Sequence, residues 1–516
     1  MWVRNPASSG ARGRAIASVR GTLAVALGLA LCATILLASA RPAGADRGKR
    51  RLRSALIPVS VSVDQAQPGR VVPREFLGLS FEAAALPELA GDGGGGDLVT
   101  MLRSLGPGVL RFGGVTADER IAWTDELAGR PSWASESLDA AELRGLSLLA
   151  ANSRWHVLLT LGLGHFEPEV AAREAAAAKA ALGEWLQAIE IGNEPDTYAV
   201  HGFREEPWTP AQYDEQLAVY RSAIEAAAPG IPLAGPDVSG SSAFEKWGPP
   251  EVVNQRPALL TGHHYPLGCV QVPAPSITRL LSPEIRKLEG ISLGRYMAVS
   301  EAVGTPFRLD ETNTVSCGGL PGISNTFSSA LWALGYLTQA MQMGVSGINL
   351  EGNPTNCEGY TPVCAPTAED LASGTLQAQP EWYALLLAKA LIGDRPLPTS
   401  TSSPDQPNVQ VSAFLAPNGA LHLVVVDDDP PGSHSLAVAL RLGRRFRDAG
   451  ILSLTAPSPA ALSGVRLGGL AVAANGSWSP PATRPHAASS KGVITVKIKA
   501  SSAALLTLPP GPPAAH

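Results

Sequence analysis

The chain has 516 residues, a formal net charge of −5, and 45% hydrophobic against 16% charged residues. These values fit a globular chain of two domains and exclude a disordered one. Its densest basic run, Lys49-Arg50-Arg51, is too short for a nucleic-acid footprint, so no nucleic-acid partner is expected.

At the N-terminus, Arg4, Arg12, Arg14 and Arg20 flank and precede an apolar run over 21–40 that ends in Ala38-Ser39-Ala40, with Ala43-Gly44-Ala45 as a second cleavage candidate. This pattern predicts a secretory signal peptide over 1–40 and a secreted chain with no membrane attachment once it is removed. An uncleaved anchor is the alternative, because about 20 apolar residues suffice to span a bilayer. Leu31 is too bulky before Cys32 for a lipoprotein signal. Residues 41–75 read as a linker with one strand, 57–63, placed to join a β-module at the other end of the chain.

From 76 to 395 strand-like and helix-like segments alternate. Eight strands are predicted, at 77–82, 109–114, 156–161, 187–193, 232–238, 259–265, 307–311 and 347–351. Most are continuous apolar runs, as parallel strands buried on both faces require. Helices are predicted at 168–185, at 210–228 behind the Thr209-Pro210 start signal, and at 325–343, which is apolar all round. The fold class is therefore α/β, a (β/α)8 TIM barrel with its site at the C-terminal strand ends. The run Gly93-Gly94-Gly95-Gly96 reads as a loop, with no Lys-Ser or Lys-Thr of a phosphate-binding loop behind it. Past 396 the texture becomes all-β: strands at 409–415 and 421–426 flank the turn Pro417-Asn418-Gly419, and 493–498 and 503–508 follow. A β-sandwich over 396–508 is expected, then a disordered Pro-rich tail over 509–516.

Without Cys32 four cysteines remain, Cys269, Cys317, Cys357 and Cys364, an even number that suggests two disulfides in an exported chain. Cys357–Cys364 within one loop and Cys269–Cys317 between two loops is the preferred pairing among three connectivities.

Two short runs carry the chemistry. Ile189-Glu190-Ile191-Gly192-Asn193-Glu194-Pro195 closes the fourth strand. Pro195 cannot extend a ladder, so the strand is expected to stop there and raise Glu194 to the rim. Phe307-Arg308-Leu309-Asp310-Glu311-Thr312-Asn313 closes the seventh. Strand neighbours point to opposite sides, so only one of Asp310 and Glu311 should face the barrel centre, and the polar turn Thr312-Asn313 favours Glu311. Two carboxylates on one barrel mouth are what glycosidic bond cleavage needs, with Glu194 as acid/base and Glu311 as nucleophile. The bland readings are a Glu311–Arg308 ion pair and a Glu194 contact to a helix terminus. Arg111 and Tyr265 are the expected donors to Glu311, and Asn193 offers a sugar hydroxyl both a donor and an acceptor. His264 and Glu351 are lesser candidates for sugar contact, and Trp332 reads as core. No metal is expected, since His263-His264 lacks a nearby third ligand and no CxxC occurs. No cofactor is expected either, because two carboxylates suffice.

These residues resemble the retaining glycosidases built on (β/α)8 barrels. More narrowly, several stretches are similar to glycoside hydrolase family 79, which includes β-glucuronidases and heparanase. They are Phe76-Leu77-Gly78-Leu79-Ser80-Phe81-Glu82, Leu110-Arg111-Phe112-Gly113-Gly114, Glu311-Thr312-Asn313-Thr314-Val315-Ser316-Cys317-Gly318-Gly319 and Tyr360-Thr361-Pro362. In the β-module they are Gly464-Val465-Arg466-Leu467-Gly468-Gly469 and Trp478-Ser479-Pro480. The resemblance covers residues 55 to 508. It implies a two-step retaining reaction on a carbohydrate. Glu82 and Asn193 would bind sugar hydroxyls, Arg111 and Tyr265 would orient Glu311, and Tyr360 would line the subsite. One position departs. Glucuronide-cleaving members commonly place a Tyr five residues beyond the nucleophile, before glycine amides, to grip the uronic carboxylate. Here that position is Ser316, while Gly318 and Gly319 remain. Losing one charge-assisted hydrogen bond removes about 1.5–3 kcal/mol of discrimination. The expectation is an exported monomeric β-glucuronidase. A neutral-sugar glycosidase on the same scaffold and a catalytically silent carbohydrate-binding surface protein are the alternatives, the last disfavoured by retention of both glutamates.

Overall fold

The computed structural model describes residues 55–90, 96–442, 446, 448–482 and 484–510. The predicted signal peptide with Cys32, most of the four-glycine loop and residues 511–516 of the predicted tail lie outside them. Eight parallel strands form one sheet: β1 (Leu77–Glu82), β2 (Val109–Gly113), β3 (His156–Leu161), β4 (Leu186–Ile191), β5 (Ala234–Val238), β6 (Leu259–His264), β7 (Phe307–Thr312) and β8 (Gly347–Gly352). Pairing runs β4-β3-β2-β1-β8-β7-β6-β5. A bridge between Ile189 and Leu233, with the Ile189 N–H donating to Pro232 O at 2.9 Å, closes β4 against β5. The sheet is the (β/α)8 barrel that the sequence pattern predicts.

Each predicted strand window falls on a barrel strand, and almost every strand residue is buried, which is why the runs read as continuously apolar. The helices follow their start signals. Pro210–Ala227 opens with a capping box between Thr209 and Gln212, and Phe327–Met343 is buried over nearly its whole surface. Near the N-terminal ends of the strands, Val109, Leu158, Ala188, Ala234 and Leu259 form a small apolar plug inside the barrel. Toward the C-terminal ends the interior becomes polar.

The remaining strands form one long, mostly antiparallel sheet that includes Val409–Leu415, Leu421–Asp427, His434–Arg441, Asp448–Thr455, Val493–Lys499 and Ser502–Leu508. The early strand Ala55–Val63 lies inside it, parallel to His434–Arg441 and antiparallel to Thr399–Ser402. Side chains from both ends of the strand order, such as Val59, Leu436 and Val496 with Leu423, Val425 and Leu506, share one core, so the sheet folds over on itself as a sandwich. The outer face of one layer packs on the barrel: Phe414, Val424, Leu452 and Leu505 belong to the same apolar cluster as Leu334 and Trp382. At Gly335 on the helix Phe327–Met343, a Cβ would run into the Gln410 side chain, so glycine allows this close approach. Polar ties flank it: Arg286 pairs with Asp428 at 3.0 Å, and Asn408 Nδ2 donates to Leu281 O at 2.7 Å. Trp332 is core as expected, its indole N–H donating to buried Glu289. Among the described residues no helix is long and apolar enough to cross a membrane.

Candidate active site

The two glutamates reach the mouth of the barrel by different local routes. β4 ends at Ile191, earlier than the predicted stop at Pro195, because Gly192 (φ 80°) already turns the chain out of the ladder. Glu194 itself sits in the left-handed region at φ 47°, a conformation that costs a non-glycine residue about 1–3 kcal/mol unless its surroundings fix it. Here they do. The Asn193 N–H donates to Asp118 Oδ2 at 2.9 Å, and the Glu194 N–H donates to Asp237 O at 2.8 Å. Asp118, fully buried, also accepts the amides of Leu163 and Gly164 and the Tyr198 hydroxyl.

On β7 the expectation that only one of Asp310 and Glu311 faces inward is overturned. The pairing register of β7 slips against both neighbours just past Leu309, a bulge that breaks strict alternation. Both carboxyls therefore approach Arg111, Asp310 at 3.0 Å from Nε and Glu311 at 2.8 Å from Nη1. Arg308 is not a partner of Glu311. It is buried against Asn349 Oδ1 and the carbonyls of Glu75 and Phe76.

Arg111, wholly inaccessible, organises the floor of the mouth. Its Nε donates to Glu190 at 3.0 Å, Nη1 to Ser80 and Glu311, and Nη2 to Asn193 Oδ1 at 2.9 Å and to Asp237 at 2.9 Å. The bond from Nη2 engages one of the two lone pairs of the Asn193 carbonyl oxygen, and the NH2 group makes no bond to a described residue.

His263 links the two catalytic candidates. Its Nε2 contacts Asp237 Oδ1 at 2.6 Å, and its Nδ1 lies 3.0 Å from Glu194 Oε1 and 3.7 Å from Glu311 Oε1. One oxygen of Glu194 lies within 4.8 Å of one oxygen of Glu311. Tyr265 donates its hydroxyl to Glu311 at 2.8 Å and stacks on Tyr360, the two hydroxyls 3.2 Å apart.

The charges sort by environment. Burial alone would lower the His263 pKa, but Glu311, Asp237 and Asp310 override it and hold the imidazole well above its usual range. For Glu311, burial acts upward and is outweighed by His263, Arg111 and the Tyr265 hydroxyl, so its pKa is lowered. Asp237 is lowered in the same way by Arg111 and His263. Glu194 is raised, by burial first, with the Glu311 charge adding to it against the opposing His263 contact. Asp310 and Glu190 are also raised, by burial and by neighbouring carboxylates. Arg111 and His263 are thus held toward their cationic forms and Glu311 and Asp237 toward their anionic forms, while Glu194, Asp310 and Glu190 are biased toward the protonated acid. As an imidazolium, His263 donates through both nitrogens, to Asp237 Oδ1 and to Glu194 Oε1. The sequence reading found no third ligand for His263-His264. In space carboxylates do surround His263, but Arg111 already occupies the same cluster as a fixed cation.

The other predicted residues gather at the mouth, with two exceptions. Glu82 Oε2 accepts the Thr116 amide at 3.0 Å and hydroxyl at 2.6 Å, which leaves Oε1 free. Gly318 (φ 85°) accepts the Tyr360 N–H at its carbonyl, and at Gly319 (φ 86°) a Cβ would collide with the Tyr360 amide. Neither Gly318 nor Gly319 donates its own amide to any described residue. Ser316 is the first exception. Its hydroxyl accepts the Cys269 N–H at 3.2 Å and lies 3.6 Å from Cys317 Sγ. His264 is the second, turned to Ser292 and Tyr336 outside the barrel. Glu351 is buried beside Ser80, its pKa raised by burial and by the Glu311 and Glu82 charges. The disulfides are Cys269–Cys317, joining the loops after β6 and β7, and Cys357–Cys364 within the loop after β8.

Sequence reasoning missed Asp237, Glu190, Asp118 and the role of His263. Glu190 and His263 carried a usable signal, since each is a polar residue inside an otherwise apolar strand run, where burial demands a partner.

A (β/α)8 barrel carrying a β-sandwich and presenting two close carboxylates is the architecture of a class of glycoside hydrolases, and the comparisons fall in that class. No sequence-family model matches the chain. It is similar to a β-glucuronidase of Neurospora crassa, 23% identical over 406 residues, which covers 70% of this chain and 66% of that one. A β-glucuronidase of Aspergillus niger is 25% identical over 210 residues, 36% of this chain and 38% of that one. The chain thus spans less than two thirds of the length of these relatives. Among solved structures, a 4-O-α-L-rhamnosyl-β-D-glucuronidase from Fusarium oxysporum superposes with a TM-score of 0.69 at 19% identity, over 88% of this chain and all of that one. A family 51 arabinofuranosidase from Xanthomonas axonopodis pv. citri gives 0.65 at 16% identity, over 88% and 100%. These likenesses extend to the β-module as well as to the barrel.

Proposed function

We propose that the protein is a retaining β-glycoside hydrolase of the family 79 type, with a β-glucuronide as its substrate. The observation that carries this reading is the proximity of Glu194 and Glu311, whose oxygens come within 4.8 Å across His263. Retaining enzymes hold their carboxyls about 5–5.5 Å apart, whereas inverting ones leave about 6.5–9.5 Å for a water.

Glu311, ionised and aimed by Arg111 and Tyr265, attacks the anomeric carbon. Glu194 gives its proton to the leaving oxygen as the glycosidic bond breaks, and a glycosyl ester forms on Glu311. The ester has no charge, so the Glu311 contribution that raised the Glu194 pKa disappears while His263 still stabilises the anion. Glu194 is then suited to act as base on the incoming water, which releases the sugar with retained configuration. Asn193 supplies an NH2 donor beside the reacting centre, in place to bind a ring hydroxyl.

The glucuronide preference rests on the unpartnered amides of Gly318 and Gly319 next to Tyr360 and Tyr265, two donors available to a uronic carboxylate. A neutral glycone is the second reading, favoured by the Ser316 hydroxyl being tied to Cys269. Two disulfides fit an exported protein. The test is hydrolysis of p-nitrophenyl β-glycosides by the purified chain and its Glu311→Ala variant. Glucuronide turnover that the variant loses by at least 10³-fold supports both reaction and nucleophile; turnover surviving in the variant removes Glu311 from its role. Turnover confined to neutral glycosides replaces the glycone and keeps the mechanism.

A further inference from the structure

Outside the barrel, one group of ligating side chains has no role in the reaction above. It lies where the strand Leu421–Asp427 passes over to His434–Arg441, two strands whose side chains share the sandwich core. The link reads Asp427-Asp428-Asp429-Pro430-Pro431-Gly432-Ser433-His434. Its spacing matches neither a CxxC nor a paired histidine, the patterns tested for metal in the sequence. Asp428 turns away, to Arg286 at 3.0 Å and to Gln410 at 2.8 Å. Asp427, Asp429 and His434 turn toward one another, with one ligand atom from each within 4.8 Å of the others.

His434 is the informative member. It is 7% exposed, and its Nε2 has no hydrogen-bond partner among the described residues; neither has Oδ2 of the fully buried Asp427. Nε2 nevertheless lies 3.4 Å from Asp427 Oδ2 and 3.5 Å from Asp429 Oδ2. The other ring nitrogen fixes the tautomer. Ser433 Oγ gives its one proton to Pro430 O at 2.7 Å, so toward His434 Nδ1, 3.0 Å away, it can only accept. Nδ1 therefore carries an N–H, and in the neutral ring Nε2 aims a lone pair at two carboxylates. A direct ion pair would close the gap to about 2.7–2.9 Å, and His422 does come to 2.6 Å from Asp394. Around a tetrahedral zinc ion with nitrogen and oxygen ligands at about 2.0–2.2 Å, the ligand atoms stand about 3.3–3.6 Å apart. Both observed spacings fall in that interval.

The ligands are also held from behind. The Asn408 N–H donates to Asp429 Oδ2 at 2.8 Å, the Asp429 N–H to Asp427 Oδ1 at 3.2 Å, and Ser501 Oγ to the Asp429 carbonyl at 2.7 Å. Among the described residues no Lys or Arg pairs with Asp427 or Asp429, in contrast to the His263 cluster, which Arg111 fills.

We infer that Asp427, Asp429 and His434 form a zinc site that clips the turn between the two strands, with its remaining position open to water beside the partly exposed Asp429. The two carboxylates neutralise the dication, and Ser433 supplies the outer contact that orients the imidazole. A mixed nitrogen and oxygen set favours zinc over calcium, which takes six to eight oxygens. The site takes no part in glycoside cleavage and acts on the stability of the sandwich.

The test is calorimetric titration of the untagged, EDTA-treated chain with zinc chloride, with thermal melts alongside. One zinc per chain is expected to bind with a Kd of about a micromolar or below, and to raise Tm by a few degrees at saturation. Calcium should bind at least 100-fold more weakly. Asp427→Asn and His434→Gln should each weaken zinc binding at least tenfold and abolish the zinc-dependent rise in Tm. A cooperative metal-free melt within a few degrees of the native chain's shows that the variants fold. No zinc bound by the native chain, binding that persists in both variants, or an equal affinity for calcium overturns the proposal. Zinc-edge X-ray absorption of the native complex needs no variant: one imidazole with oxygen ligands is expected, and two imidazoles or a thiolate overturn the site.

Discussion

Around Arg111 the barrel interior encloses Glu190, Asp237, Asp310, Glu311 and His263, all buried, while the inner layer of the sandwich is made of side chains such as Val59, Leu423, Val425, Leu436 and Ile498. Both regions exclude water, yet their stability has different origins. In the sandwich each side chain contributes its own apolar area, and neighbours tolerate its loss at the cost of a cavity. At the barrel mouth each charged group is tolerable only because another is present, so removing one member leaves the rest uncompensated. Interactions there are collective, whereas in the sandwich they are close to additive.

The sharpest way to break this contrast is Arg111→Met. It leaves Glu311 and Asp237 with one cation fewer, and should lower kcat/KM by at least 10³-fold and stability by about 3–5 kcal/mol, read from initial rates and urea midpoints. Activity within tenfold of the native chain would show that Arg111 is not the centre of the network. Glu194→Gln comes next. It should slow glycosides with poor leaving groups by about 10²–10⁴-fold and spare activated dinitrophenyl ones. The pH profile provides a second reading. Glu194 is raised, so its proton persists above the usual carboxylate range and its loss sets the alkaline limb; Glu311 is lowered, so the acid limb falls below that range. An alkaline limb unchanged in Glu194→Gln would exclude Glu194 as the acid.

In the sandwich, Leu436→Ala should destabilise by about 2–5 kcal/mol and leave kcat/KM within twofold at a temperature where the variant stays folded. A collapse of activity would mean that the module shapes the cleft. The smallest effect is expected at Glu174, buried in the helix Pro168–Leu182 with no hydrogen-bond partner among the described residues and pushed to about 8 by burial. An unfolded glutamate loses its proton near its ordinary 4.5, the folded one near 8, so the folded state binds more protons between these values and stability falls as pH rises through that window. Glu174→Gln should therefore raise Tm by a few degrees at pH 8.5 and change it little at pH 4. A shift independent of pH would sink the idea.

Legibility in the sequence follows the same divide. The barrel strands were readable because burial on two faces leaves continuous apolar runs, and the hairpin over Val409–Leu415 and Leu421–Asp427 because a turn signal separates two β-rich segments. Strands His434–Arg441 and Asp448–Thr455 were missed, although Asp428-Asp429-Pro430-Pro431-Gly432 is a turn signal between Leu421–Asp427 and the first of them. Glu194 and Glu311 were visible as acids ending strands. Their surroundings were not, because a bulge at Asp310, the αL turn at Glu194 and the Arg111–Asp237 contact arise only when strands far apart in sequence are side by side. Asp237 in particular lies within the predicted strand 232–238, but nothing in that segment shows that it meets Arg111 of a strand more than 120 residues earlier.

The strand Ala55–Val63 is paired on both sides by segments more than 300 residues further along the chain, Thr399–Ser402 and His434–Arg441. A ribosome delivers this strand first and its partners last. The barrel, whose strands end at Gly352, has all its own segments in hand well before the sandwich does. During synthesis the β-rich leading strand therefore waits with its edges open, the state most exposed to wrong pairing. Permuting the chain so that this strand follows Leu508 would deliver it after its partners and remove the wait.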